Sequence, residues 1–162
     1  VQSRSSAANN LDPGKSMNKK TNEAKKVSPK EFKPRIVAFV CNWCSGGEEV
    51  SSDSSGVRII NVMCSGRVTP GLVLKAFELG ADGVMVCGCE KGACHYSFGN
   101  EKQAEMFETS RKLANLIGLE PERLRLDWLT HDGGRLQKAV AEFVEHVTQV
   151  GPSPLKKSGG TG

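Results

Sequence analysis

Aromatic side chains are scarce in this 162-residue chain, which has one Tyr, two Trp and six Phe. So few rings cannot build the stacking platform that single-stranded nucleic acids require. No apolar run approaches the ~20 residues that a membrane span needs, so no membrane insertion is expected. The opening stretch VQSRSSAANNLDPGK has no hydrophobic core of the secretory type, and the expected location is cytoplasmic. Also missing are a glycine-rich phosphate loop after a strand, paired catalytic carboxylates and a nucleophile–base constellation. Catalytic turnover by this chain alone is therefore not expected.

What the sequence does have is cysteine: six residues, all between Cys41 and Cys94. Hydrophobic residues make up 38% and charged residues 25%, enough to fold one domain around a core. The net charge of +4 is unevenly placed. Residues 1–35 hold nine Lys/Arg against three Asp/Glu, whereas residues 36–162 hold thirteen against fifteen. The basic character belongs to the beginning of the chain, and nucleic-acid binding by the folded part is not expected.

Residues 1–34 are rich in Ser, Asn, Lys and Pro, show no apolar period, and read as a basic, disordered tail. Gly151 to Gly162 reads as a second, flexible tail. Between them, 35–150 alternates strand and helix patterns. Ile36–Val40, Val57–Met63, Gly83–Val86 and Leu124–Leu129 read as strands, mostly the short apolar runs of a sheet buried on both faces. Thr69-Pro70 opens a helix that Gly80 closes. Asn100 is expected to cap a helix over 101–117 with Ala104, Phe107, Leu113, Ala114 and Ile117 on its apolar face. A last helix runs over 134–150. The Ser/Gly-rich stretch 45–56 reads as a loop or one irregular helical turn. The fold class is α/β: a single domain with a mostly parallel, flavodoxin-like sheet covered by helices, plus disordered tails.

The cysteines follow the strand ends. Cys41 follows the first run, Cys64 the second, and Cys87 and Cys89 the third. Parallel strands end on one edge, where open α/β sheets place their sites. Three separate stretches thus bring thiols to one rim, and Cys44 and Cys94 add two more from the adjoining loops. The spacings Cys41-x-x-Cys44 and Cys89-x4-Cys94 let a loop curl around a metal centre. Neighbouring glycines admit backbone N–H groups to the sulfurs, and Arg67 and Lys91 can offset the charge of a thiolate cluster. Cys87 lies on the strand itself and reads as a packing thiol. Disulfides are not expected in an unsignalled chain with a sizeable core. Structural zinc in a protein-binding module and a dithiol pair at Cys41 and Cys44 remain alternatives. A ligand set with His95 would need a second histidine, and His131 is the one near the same rim. Trp43 can shield a metal centre or pack on a partner.

The stretches CNWC, NVMCSGRV, ADGVMVCGCEKGACHYSFGN and GLEPERLRLDW resemble the delta subunit of methyl-viologen-reducing hydrogenase, over roughly residues 36–150. That resemblance implies a [2Fe–2S] cluster held by four of Cys41, Cys44, Cys64, Cys89 and Cys94. It makes 35–150 an iron–sulfur electron-transfer domain. It also implies a relay between a hydrogenase or formate dehydrogenase and the A-type flavoprotein of a heterodisulfide reductase. After CNWC this chain reads SGGEEVSSDSSG, a departure from the family pattern. Useful electron transfer needs a cluster near the surface, so the rim is expected to dock on a redox partner through residues such as Trp43 and Arg67.

Overall fold

The computed structural model describes residues 32–44, 56–130 and 135–156. Residues 1–31, the 45–55 stretch, His131 with its neighbours to 134, and 157–162 lie outside them. Four strands form one sheet: β1 (Ile36–Cys41), β2 (Val57–Val62), β3 (Gly83–Cys89) and β4 (Leu124–Leu129). Their order is β2-β1-β3-β4, and every neighbouring pair is parallel. This is the flavodoxin-like order, in which the chain reverses its direction of travel across the sheet between β1 and β3.

Three helices cover the sheet: α1 (Pro70–Glu78), α2 (Gly99–Leu116) and α3 (Arg135–Val150). Successive strand residues face opposite sides, which splits the core in two. On one face Ile36, Ala38, Val40, Met85 and Cys87 meet Leu136, Val140, Phe143 and Val147 of α3. On the other, Phe39, Val84, Val86 and Leu124 meet Val73 and Phe77 of α1 and Phe107 and Ala114 of α2. The helix start at Thr69-Pro70 is as the sequence suggests: Thr69 Oγ1 accepts from the Leu72 N–H at 3.4 Å, and proline occupies the first helical position.

Three details differ from the sequence reading. β3 continues through Cys89, because β4 pairs with it along its whole end, Cys87 to Asp127 and Cys89 to Leu129. Cys89 is therefore a strand residue rather than a loop residue, and Cys87 lies on the strand as the sequence suggests. β2 is an edge strand, and Ile60 stays 38% exposed, so its apolar run is not buried on both faces. α2 begins at Gly99 with Phe98 as its cap, and Asn100 lies inside the helix, buried. Its inner stripe is Asn100, Gln103, Phe107, Ser110 and Ala114, while Leu113 and Ile117 are exposed. The helix is rotated so that its first turn meets the cysteine loops.

The opposite edge of the sheet is closed by two buried charges. Asp82, fully buried, accepts from the backbone N–H of Arg35 (2.8 Å), that of Ser153 (2.9 Å) and the Lys156 ammonium (2.7 Å). Arg123 donates to the carbonyls of Asp82, Gly151 and Pro152 and pairs with Glu120. Packing thus continues past Val150, to Lys156.

Candidate metal centre

β1 delivers Cys41 to the carboxyl rim, and a tight turn, closed by Cys44 N–H to Cys41 C=O at 3.2 Å, brings Cys44 back beside it. β3 delivers Cys89 from the neighbouring strand. The sulfurs of Cys41, Cys44 and Cys89 all lie within 4.8 Å of one another, and all three residues are buried. Cys41 Sγ and Cys89 Sγ are 3.8 Å apart. Two thiolates about 2.3 Å from one tetrahedral metal ion stand about 3.8 Å apart, so this spacing suits shared ligation. The trio sits where β1 and β3 adjoin, the topological switch point of the sheet.

Cys64 and Cys94 form a second group. After β2, Cys64 enters a single 3-10 turn over Ser65–Arg67. Cys94 lies in the β3–α2 loop. The two sulfurs meet over the first residue of α2. A Cβ built on Gly99 would collide with Cys64 Sγ and come within 3.2 Å of Cys94 Sγ. A Cβ on Gly66 would stand 2.7 Å from the Gly99 carbonyl oxygen. Only glycine at both positions allows the Cys64 turn and the α2 terminus to approach this closely.

The protonation states follow from these contacts. The Cys44 thiol donates to the Cys41 carbonyl at 3.4 Å, and its closeness to the Cys41 sulfur, with help from the Trp43 and Ser65 N–H groups, holds Cys41 down to about 5. The same contact, with burial, pushes Cys44 up. Burial raises Cys64 and pushes Cys89 up to about 11, against the N–H groups of Gly66 and His95 respectively. Four backbone donors thus face three of the sulfurs, an arrangement that stabilises anionic sulfur. With five converging thiols, the donor set fits a thiolate-bound metal centre.

Cys87 is different. Its side chain is fully buried under α3, and burial pushes its thiol up to about 12. Its carbonyl oxygen, 3.9 Å from Cys44 Sγ, is the atom turned toward the trio. His95 stacks on Trp43, with ring centroids 3.5 Å apart and planes 7° from parallel, and Tyr96 meets both rings edge-on. Arg67 is exposed and lines a groove beside Cys64.

Two positioning residues escape a reading of the cysteine motifs. Asn100 Nδ2 donates to the carbonyls of Cys89 (3.2 Å) and Glu90 (2.7 Å), tying the loop after β3 to α2. The amide end of Gln103, fully buried, faces the carbonyls of Ser65 and Val68; these acceptors assign its nitrogen, rather than its oxygen, to that side, where it holds the turn after Cys64. Their signal in the sequence is polar residues at 100, 103 and 110 in a stripe that continues with Phe107 and Ala114.

Fold and site together define a class: a doubly wound α/β domain with a thiol-lined rim. The chain belongs to the family of methyl-viologen-reducing hydrogenase delta subunits, which it matches over residues 36–151. It is 38% identical over 139 residues to the iron-sulfur subunit of the vhc F420-non-reducing hydrogenase of Methanococcus voltae, covering 80% of this chain and 94% of that protein. The iron-sulfur subunit of the F420-non-reducing hydrogenase of Archaeoglobus profundus is 38% identical over 134 residues, 78% of this chain and 98% of that one. The A-type polypeptide of the ferredoxin:CoB-CoM heterodisulfide reductase of Methanosarcina mazei is 38% identical over 133 residues; the match takes in 76% of this chain but 17% of that longer protein. Among the described residues no helix is long and apolar enough to cross a membrane.

Proposed function

We propose that this chain is a cytoplasmic electron-transfer subunit carrying a [2Fe–2S] cluster. It relays electrons between a hydrogenase or formate dehydrogenase and the A-type flavoprotein of a heterodisulfide reductase-like complex. The observation that carries this reading is the convergence of five thiols from three strand ends on one rim. The names of the relatives, hydrogenase iron-sulfur subunits and a heterodisulfide reductase polypeptide, support it.

When bound, the cluster supplies one-electron chemistry without proton or group transfer. Everything else falls to the chain. A binuclear centre takes two thiolates per iron. Cys64 and Cys94, together with two of Cys41, Cys44 and Cys89, would hold the cluster. The N–H groups of Trp43, Ser65, Gly66 and His95 stabilise the thiolates, and Arg67 offsets their charge from the surface. Asn100 and Gln103 fix the two loops so that the sulfurs do not have to move.

Iron and acid-labile sulfide per chain, with an EPR spectrum of the dithionite-reduced protein, test this directly. About two irons and two sulfides, with a spectrum of one reduced binuclear centre, are expected. A colourless protein with one zinc per chain would replace this reading with a metal-stabilised binding module, since the buried trio also suits zinc.

A further inference from the structure

Beside Cys64 the surface opens into a groove of about 430 Å³, whose lining includes Met63, Cys64, Arg67, Tyr96, Phe98 and Lys102. Three of these are large apolar side chains left open to solvent: Met63 at 56%, Tyr96 at 44% and Phe98 at 66%. Single exposed apolar side chains are ordinary, but several lining one groove mark a contact site. Neither cation of the groove, Arg67 or Lys102, has a carboxylate partner among the described residues, as is also true of Lys33, Arg35, Arg58, Lys91, Lys112 and Lys138; what sets these two apart is that both line one apolar groove. The groove is therefore lined by exposed apolar side chains together with two cations, and Cys64 lies in its wall.

We infer that this groove receives an acidic, apolar-tipped polypeptide segment of the redox partner, making Cys64 the sulfur nearest that partner. The inference rests on the function proposed above and adds the face and the chemistry of docking. Carboxylates on the segment answer Arg67 and Lys102, and an apolar side chain between them covers Met63 and Phe98. Cys94 is the most exposed of the five thiols, but Cys64 is the one among the groove's lining residues. Covering the groove thus places the partner against the wall that Cys64 forms. The Trp43–His95–Tyr96 stack walls the loop next to it, and Tyr96 belongs to both.

The test uses the full chain with its cluster, to which a recombinant heterodisulfide reductase flavoprotein and a recombinant hydrogenase from the same organism are offered one at a time. Phe98→Ala with Lys102→Glu should weaken binding of one of these partners by about tenfold or more and flatten its salt dependence. Iron content and reduction by dithionite should stay those of the parent. Lys112→Glu, a charge change elsewhere on α2, should leave affinity in place. Undiminished binding by the Phe98/Lys102 variant, or equal weakening by Lys112→Glu, would overturn the groove while leaving the relay reading intact. Saturable binding of free flavin dinucleotide, lost in the Phe98/Lys102 variant, would also overturn a polypeptide occupant. An iron-loaded parent chain that binds neither partner would overturn the relay reading and the groove with it.

Discussion

At the scale of single residues, the thiols are not equivalent, and substitution should sort them. Cys64→Ser should lower iron content by at least about half, because a centre that loses one anionic ligand loses much of its affinity. Cys87→Ala should keep its iron and lose about 1–2 kcal/mol of stability, since it only removes a small buried group from beneath α3. Metal analysis beside thermal melting separates the two outcomes. Gly99→Ala is the sharper test of geometry. The added methyl has nowhere to go but onto Cys64 Sγ and Cys94 Sγ. Iron should be lost even though every ligand is still present; full iron loading would show that the two sulfurs can part without cost. All six cysteines, and the separate standing of Cys87, were legible from their positions relative to apolar runs. The glycine beside Cys64, Gly66, was legible as a source of an N–H group for sulfur; its close approach to Gly99, and the roles of Gly99, Asn100 and Gln103, were not. Their roles depend on one loop touching another, and no local period records such a contact.

At the scale of elements, the parallel sheet could be read because apolar strand runs alternate with capped helices. Thr69-Pro70 marks its helix start by simple chemistry, a hydroxyl acceptor followed by a residue without an N–H. Thr69→Ala should therefore cost about 1 kcal/mol in chemical denaturation with no change in iron; a variant that sheds its iron would show that α1 supports the rim as well as the sheet. Helix α2 was harder. Its sequence offers Leu113 and Ile117 as an apolar face, yet the structure leaves both exposed and buries Asn100, Gln103 and Ser110. Two amides that satisfy loop carbonyls outweigh two leucine-like contacts here, because an unmet buried carbonyl costs about 1–3 kcal/mol. The strand end at Cys89 was hidden for a related reason. Glycine and cysteine have little strand preference of their own, and pairing with Asp127 to Leu129 extends the strand through them.

At the scale of the whole molecule, the sheet has a chemical edge and a structural edge. Removing residues 151–156 should destabilise the fold by about 3 kcal/mol or more, because Arg123 loses two carbonyl acceptors and Asp82 loses two donors while both remain buried. Iron content at a temperature well below the melting midpoint should be unaffected, since the thiols lie on the far rim. By contrast, removing residues 1–31 should leave both midpoint and iron in place, given their charge and lack of apolar period. A shift of several degrees would reveal a contact that their composition does not announce. The clasp has one more consequence. The backbone just before β1, at Arg35, and that just after α3, at Ser153, are pinned to the same carboxylate, so the fold is entered and left through one doorway. Joining another polypeptide at either side would tether this domain by its back, as a plug is held by its cord, and leave the prongs free to seat.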